Sequence, residues 1–288
     1  MNEPFIRVAL MKYESSGKQI IATNFSRILI WASIFGITIF SIPTIVNALD
    51  WSTTELHYQF GNLDAPFRGG RDSETHILTF QHASGWKYGD NFIFLDFLHD
   101  ADDDGFNDDD VYGEVYFNFS LSKIMDAKID IGPIKDIGVL AGLNMGLDSK
   151  VVKYLPGIRV SWDAKGFAFL NTDITFYIDD SNGLSSGGVP KEDNSFYFDV
   201  NWAYPFKMKS HSFSVEGHVE YIGERTDETG AAVSEWFLAQ PQFRYYVGKP
   251  FNHQDQLFIG IEWQYWMNKL GDAETDENVA QFLLGWRF

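Results

Sequence analysis

The clearest pattern in the chain is an alternation of apolar and polar residues with a period of two. It is strongest at residues 211–223 and 256–268, where Val219 and Ile261 alternate with Glu220 and Glu262. Successive side chains of a β-strand point to opposite faces. The pattern therefore predicts strands with one apolar and one polar face.

Turn residues divide this pattern into twelve predicted strands. They are 52–60, 74–83, 90–98, 111–120, 136–147, 154–163, 167–179, 194–204, 211–223, 233–247, 256–268 and 278–288. The alternation is weakest between residues 137 and 147, where Gly138, Gly142 and Gly146 thin the pattern. An even strand count allows both ends of the sheet to lie on the periplasmic side of a membrane.

The predicted connections alternate between long and short, as in outer-membrane barrels. The acidic, glycine-rich segments are expected outside the cell: 61–73, 99–110, 180–193, 224–232 and 269–277, with a shorter loop at 148–153. Periplasmic turns are expected at 84–89, 121–135, 164–166, 205–210 and 248–255. Because no linker interrupts the series, residues 49–288 are predicted to form one domain.

The first 48 residues are expected to be a cleaved secretory signal peptide. Basic residues precede an uncharged run from Ile28 to Val46, and Val46-Asn47-Ala48 supplies a small-residue cleavage site. A retained membrane anchor is the alternative, because the uncharged run could just span a bilayer. Cleavage after Ala48 changes the formal charge from −18 to −20. Nucleic acid is therefore not expected as a partner.

The composition favours a membrane barrel over a helical membrane protein. No segment after residue 48 approaches 18 consecutive apolar residues, whereas a barrel needs an apolar residue only at every second position. Every backbone N–H and C=O in hydrocarbon must be paired, so the sheet has to close. The chain has no cysteine, so disulfides do not stabilise the fold.

The carboxyl-terminal strand supports this location. Phe282, Leu284, Trp286 and Phe288 share one face, and Gln281 and Arg287 lie on the other. This strand resembles the closing strand of Gram-negative outer-membrane barrels, which the barrel-assembly machinery engages. The fold class is thus predicted to be all-β, a single antiparallel barrel in the cell outer membrane, in contact with lipid and lipopolysaccharide.

Two stretches resemble a known family. Thr79–Phe92 with Asp96 and Tyr112-Gly113-Glu114, and Ser120–Ile124 with Ile131–Asp136, are similar to the Tsx-type (OmpK-like) nucleoside-specific channel-forming outer-membrane proteins. The resemblance implies a twelve-stranded monomeric barrel that passes nucleosides and deoxynucleosides by diffusion. It implies neither a cofactor nor catalysis.

The polar strand faces are expected to line the lumen of this barrel. The predicted inward set is Glu55, His57, Asp96, Glu114, Tyr116, Arg159, Asp173, Tyr177, Tyr197, Asp199, Glu216, His218, Glu220, Trp236, Arg244, Glu262, Gln264 and Trp266. Aromatic rings can stack on a base, and charged groups can bind ribose hydroxyls and base edges. The alternative is that the charged residues only hydrate the pore and pair across strands.

Phe92 and Phe94 share a face with Asp96, so an inward Asp96 places both rings in the channel. A base-stacking path would use such rings; the alternative is packing at a girdle or in a plug. The predicted substrate-binding residues are Phe92, Phe94, Asp96, Glu114, Arg159, Asp173, Asp199, Trp236, Arg244 and Glu262.

Two motifs suggest other functions. Asp100–Gly105 has the carboxylate spacing that begins a calcium loop, but Val111 stands at position twelve, where that loop needs glutamate. We therefore predict no metal-binding residues and interpret the segment as a solvated acidic loop beside cation-bridged lipopolysaccharide; a weak surface cation site is the alternative. His82 and Ser84 share a strand face and resemble the His-x-Ser arrangement of outer-membrane lipid acyl hydrolases. That hydrolase, and a passive barrel acting as an adhesin or phage receptor, are the alternative functions.

Overall fold

The computed structural model describes residues 49–67, 71–102, 108–129, 131–248, 250 and 253–288. The predicted signal peptide lies outside the described residues. The described chain forms twelve barrel strands: β1 Leu49–Ala65, β2 Arg71–Trp86, β3 Gly89–Asp100, β4 Asp110–Ser120, β5 Ile134–Gly146, β6 Val151–Trp162, β7 Phe169–Asp179, β8 Ser195–Met208, β9 His211–Ile222, β10 in two segments (Trp236–Ala239 and Gln242–Tyr246), β11 Leu257–Met267 and β12 Glu277–Arg287.

The sheet is closed and antiparallel throughout. Each strand pairs with its neighbours in chain order, and β12 pairs with β1 at the seam. There Leu56 lies opposite Trp286, and Phe60 lies opposite Phe282. Closure leaves no unpaired strand edge, which is the condition for placing a sheet in hydrocarbon.

The barrel is apolar outside and polar inside. On β7, Phe176 is 68% exposed whereas Asp173, three residues earlier on the opposite face, is 3% exposed. The same division holds on β11, where Ile261 is exposed and Glu262 is buried. A water-soluble barrel would show the reverse arrangement. The protein is therefore a transmembrane β-barrel of the kind found in the cell outer membrane.

Inward glycines explain the weak alternation of β5. A side chain at Gly142 would place its Cβ 2.7 Å from the ring of Tyr116, and one at Gly138 would collide with Asn118. Tyr116 and Asn118 lie on β4, which pairs with β5. The glycines thus leave room for large inward side chains of the neighbouring strand.

The prediction of one continuous strand at 233–247 was wrong. Pro241 has no N–H to donate and separates the two segments of β10. Opposite this break, Gly217 has a φ of 147°, and a Cβ there would lie 2.3 Å from the carbonyl oxygen of Gln240. Both segments still pair with β9 and β11, so the barrel stays closed.

The connections differ from the predictions in several places, among them the turn predicted at 205–210, where β8 continues to Met208. The predicted loop 61–73 is mostly strand, since β1 and β2 remain paired out to Ala65 and Arg71. Backbone pairing in water needs no apolar side chains, so the alternation could not mark where this hairpin ends. A short helix, α1 (Leu121–Met125), begins the turn at 121–135, and Ser120 caps it. Arg225–Thr226 and Ala232–Val233 form a small hairpin within an outer loop.

No helix in the described ranges has the length and apolarity needed to cross a membrane.

The space left by Gly142 gives a stability prediction. Replacing Gly142 with valine should lower the free energy of unfolding by about 1–3 kcal/mol, because the new side chain overpacks against Tyr116 and Leu155. Urea unfolding in lipid vesicles measures this loss. Ala141→Val, on the exposed face of the same strand, is the control and should be close to neutral. Equal losses in the two variants would contradict the packing explanation.

Candidate functional site

The site is the barrel lumen, a cavity of about 2380 Å³. Its lining extends from Trp162 and Trp202, near the short-turn end, to Pro190 and Asp227 in loops at the other end. This volume exceeds the roughly 300–1,000 Å³ of a pocket for one small molecule. Every residue of the predicted inward set lines the cavity: Glu55, His57, Asp96, Glu114, Tyr116, Arg159, Asp173, Tyr177, Tyr197, Asp199, Glu216, His218, Glu220, Trp236, Arg244, Glu262, Gln264 and Trp266.

Arg159 is held by carboxylates on both sides. Its Nε and Nη2 each lie 2.7 Å from Asp173, and its Nη1 lies 3.2 Å from Asp90. Asp173 also accepts a hydrogen bond from Asn201, which donates to Asp199 at 2.6 Å. A bidentate Arg–carboxylate pair has a fixed geometry. Arg159 and Asp173 are therefore rigid parts of the wall.

A second charged cluster lies on β1, β9, β10 and β12. Glu55 lies 3.1 Å from Nη1 of Arg244 and 2.5 Å from Nε of Arg287. Arg244 also contacts Glu216 at 3.0 Å, and His57 contacts Glu55 at 2.7 Å. The guanidinium of Arg244 is thus surrounded by acceptors. Its predicted role as a substrate-binding residue requires a solute to compete with these partners.

Other carboxylates have only neutral donors. Glu262 accepts hydrogen bonds from Gln59 at 2.6 Å and from Gln242 at 2.5 Å, and Asp96 accepts one from Thr79 at 2.6 Å. Among the described residues, no Lys, Arg or His nitrogen lies within 4.0 Å of either carboxylate. Glu262 and Asp96 are therefore held by neutral hydrogen-bond donors rather than by cations.

Aromatic rings form a row on the inner face of β3 and β4. The centroids of Phe92 and Phe94 are 6.1 Å apart, and those of Phe94 and Tyr112 are 6.0 Å apart. Tyr112 and Tyr116 donate hydrogen bonds to Glu114 at 2.6 and 2.7 Å. Since Phe92 and Phe94 both line the cavity, the inward orientation expected from the alternation is correct.

A second aromatic group lies across several strands. Trp236 is 6.3 Å from Tyr177 and 6.3 Å from Trp266, measured between centroids. Its Nε1 donates to Glu220 at 2.9 Å, so the polar edge of the indole is satisfied. Tyr116 and Phe92 pack in the same cluster. Together the rings give the lumen a wide aromatic surface.

Two outer loops fold over the cavity. Residues 180–194, here called the inward loop, contribute Gly187–Pro190 and Glu192 to its lining. Glu228 of the next loop accepts hydrogen bonds from the backbone N–H groups of Leu184 at 2.7 Å and Lys191 at 3.0 Å. These two donors lower the pKa of Glu228. The loops are therefore joined to each other.

Lys153, Glu192 and Arg225 were missed by the sequence analysis. Lys153 had a signal, because it lies on the same face of β6 as Arg159, but the strand was predicted to begin one residue later. Glu192 and Arg225 lie in connections, which have no period that could mark an inward side chain. Only the folded loops bring these three groups together.

No metal site is found in the described residues: no group of three or more His, Cys, Asp or Glu side chains is arranged to hold an ion. Of the acidic segment with calcium-like spacing, residues 103–105 lie outside the described ranges.

The His82–Ser84 pair does not have the geometry of an activated nucleophile. Ser84 donates its proton to Oδ1 of Asn91 at 3.1 Å, and Nε2 of His82 lies 3.2 Å from the same hydroxyl. With the hydroxyl proton on Asn91, Nε2 has to be the donor, and Nδ1 accepts from Thr54 at 2.8 Å. A general base needs a free lone pair facing the nucleophile. These hydrogen bonds instead satisfy four polar groups on the outer barrel face.

Searches with protein-family models and against curated proteins gave no match. Among solved structures, the chain is similar to the KdgM porin, with 10% identity, a TM-score of 0.43, and coverage of 81% of this chain and 99% of that one. It is also similar to the COG4313 outer membrane channel from Pseudomonas putida F1, with 10% identity, a TM-score of 0.46, and coverage of 84% and 98%. The fold assignment rests on the closed twelve-stranded sheet itself.

The junction between the outer loops should depend on pH. Because the pKa of Glu228 is lowered in the folded protein, its contribution is complete above the ordinary glutamate value of about 4.3 and is lost as the pH falls through the lower folded value. Hydrogen-exchange protection factors of the Leu184 and Lys191 amides should drop over this range. In Glu228→Ala, which removes both acceptor oxygens, protection should be low already at neutral pH and should not fall further. A pH response retained in this variant would contradict the assignment.

The hydrogen-bond chain of His82 and Ser84 predicts no lipid acyl hydrolysis. Purified protein in phospholipid vesicles should release fatty acid at the rate of empty vesicles, and Ser84→Ala should behave in the same way. Fatty-acid release that disappears in Ser84→Ala would show that the serine is a nucleophile after all.

Proposed function

We propose that the protein is an outer-membrane channel for the diffusion of nucleosides and deoxynucleosides. The observation that carries this proposal is the inward row of Phe92, Phe94 and Tyr112 beside the carboxylate of Glu114. A pore that only holds water has no use for three neighbouring rings on its wall. A nucleoside has both a flat base and a polar ribose, which fit rings and carboxylates respectively.

The expected binding energies are weak enough for a nucleoside to diffuse through the lumen. Stacking of one base on an aromatic ring contributes on the order of 1–3 kcal/mol, which holds a solute only weakly. The second aromatic group, around Trp236, offers another station further along the lumen. Several weak stations in series increase flux because a solute can both enter and leave each of them. The resemblance of residues 79–96 to Tsx-type channels supports the same substrate class.

The charge of the lumen favours nucleosides over nucleotides. Among the described residues, sixteen acidic and eight basic residues line the cavity. Arg159 and Arg244 are each paired with carboxylates, so neither offers a free positive charge to a phosphate. The negative field should repel an added phosphate group and leave a neutral nucleoside unaffected.

Uptake into vesicles containing the purified protein tests this proposal. Adenosine or thymidine should enter well ahead of a sugar of similar size, and ahead of the matching nucleotide. Phe94→Leu should reduce nucleoside uptake by roughly 5-fold or more, as the loss of a stacking contact of at least about 1 kcal/mol implies, and should leave sugar uptake unchanged. The control is Phe97→Leu, a change of the same size on the opposite face of β3. Equal uptake of sugar and nucleoside by the wild-type protein would overturn the proposed specificity.

A further inference from the structure

The inward loop lines the lumen at its outer mouth. It leaves the barrel after β7 and returns at β8, and in between Gly187–Pro190 reach the cavity wall. Its tip packs closely: the amide of Val189 donates to the carbonyl oxygen of Ser149 at 3.0 Å, and a Cβ at Gly188 would lie 2.8 Å from that same oxygen. The loop thus lies against the mouth of the barrel.

Glu192 ties the loop to the lumen side. Its Oε2 accepts from Nζ of Lys153 at 2.6 Å and from Nε of Arg225 at 2.8 Å. Lys153 is also paired with Asp179 at 2.7 Å, and the backbone amide of Glu192 donates to the same Asp179 carboxylate at 2.7 Å. Hydrogen bonds between charged groups are roughly twice as strong as neutral ones. This four-residue cluster therefore attaches the loop to the barrel wall through Lys153 and Asp179, and to the neighbouring loop through Arg225.

The Glu192 cluster is also a contact with the aromatic surface. The guanidinium carbon of Arg225 lies 4.3 Å from the ring centroid of Trp236, and Nζ of Lys153 lies 5.2 Å from that of Tyr177. Cations stack favourably over aromatic faces at such distances. Glu192, by binding both cations, fixes where they lie against these rings. The carboxylate of Glu192 thus connects the loop, through these two cations, to the rings of Trp236 and Tyr177 in the lumen wall.

The loop has further attachments, to the turn between β5 and β6 through Nζ of Lys150, which donates to the carbonyl oxygen of Ser186 at 2.6 Å, and to the next outer loop. Glu228 binds the amides of Leu184 and Lys191, and the Asp193 amide donates to the carbonyl oxygen of Thr226 at 2.8 Å. These bonds join the loop to its neighbour. Of the side chains that hold the loop, Glu192 is the acidic one that both lines the cavity and binds the barrel wall.

We propose that the inward loop is a constriction that sets the size limit at the outer mouth, with Glu192 as its positioning residue. The identity of the preferred solute rests on the proposed function, but the constriction itself does not. Without the carboxylate of Glu192, the loop loses its ion pairs with Lys153 and Arg225, while the backbone bonds of Val189 to Ser149 and of residue 192 to Asp179 remain. The part of the loop around position 192 should then move away from Lys153 and widen the mouth.

Single-channel conductance in planar bilayers tests this directly. Glu192→Ala should raise mean conductance by roughly 1.5- to 2-fold, because a wider mouth conducts more ions. It should also admit a trisaccharide that the wild-type protein excludes in vesicle uptake. Glu192→Gln retains an acceptor oxygen but no charge, so its conductance should lie between those of the wild-type protein and Glu192→Ala. Unchanged or lower conductance in Glu192→Ala would overturn the proposal.

The matched control is Glu224→Gln. Glu224 is exposed and lies one residue from Arg225. Its replacement by glutamine removes one negative charge from the same mouth and leaves the Glu192 cluster intact. Conductance of Glu224→Gln should equal that of the wild type. An equal rise in conductance in Glu192→Ala and Glu224→Gln would show that the rise comes from the lost surface charge, and would overturn the proposal. Heat-modifiable migration in electrophoresis confirms that each variant is a folded barrel.

The results also separate the two proposals. If the wild-type channel shows no preference for nucleosides while Glu192→Ala still raises conductance, the constriction stands and the substrate assignment fails. If nucleosides are preferred and Glu192→Ala changes neither conductance nor the size limit, the substrate assignment stands and the constriction fails.

Discussion

Closure of the sheet between β1 and β12 is the constraint on which the rest of the structure depends. In hydrocarbon, an unpaired N–H or C=O has no water to bind, so a single open edge would expose a row of unsatisfied groups. Antiparallel pairing of each strand with the next, and of the last with the first, removes both edges. The break at Pro241 is accommodated because both segments of β10 keep their pairing with β9 and β11. Once the cylinder is closed, the strand period alone assigns every side chain to lipid or to lumen.

The inward position of charged side chains costs hydration free energy, and ion pairs and hydrogen bonds in the lumen offset this cost. Charged side chains that face inward are crowded in a narrow space, and each loses part of its contact with water. Two inward arginines form ion pairs with carboxylates: Arg159 pairs with Asp173 and Asp90, and Arg244 pairs with Glu55 and Glu216. Glu262 and Asp96 instead take neutral donors. The wall is consequently rigid where its arginines lie, and elsewhere its carboxyl groups are held by neutral donors.

The same interior explains how weak selectivity and open passage can coexist. The inward rings are supported from behind: Gly142 leaves space for Tyr116, and Tyr112 is held by its bond to Glu114. Rings held in this way present a surface to a flat solute without having to be ordered by it. Above them, the cluster of Glu192 with Lys153 and Arg225 connects the outer loops to the aromatic wall. The preference for a solute in the lumen and the size limit at the outer mouth can therefore depend on different residues.

The sequence by itself determined the strands, their order and the face on which each side chain lies, because a period of two follows from backbone geometry alone. It predicted the inward position of Phe92, Phe94 and Asp96 and the seam pairing of the terminal strand. It could not determine which inward groups meet, since that depends on strand stagger around the barrel: Arg159 reaches Asp90 three strands away. Nor could it place Glu192 or Arg225, because loops have no period. Only the closed cylinder, which brings distant loops to one mouth, decided those contacts.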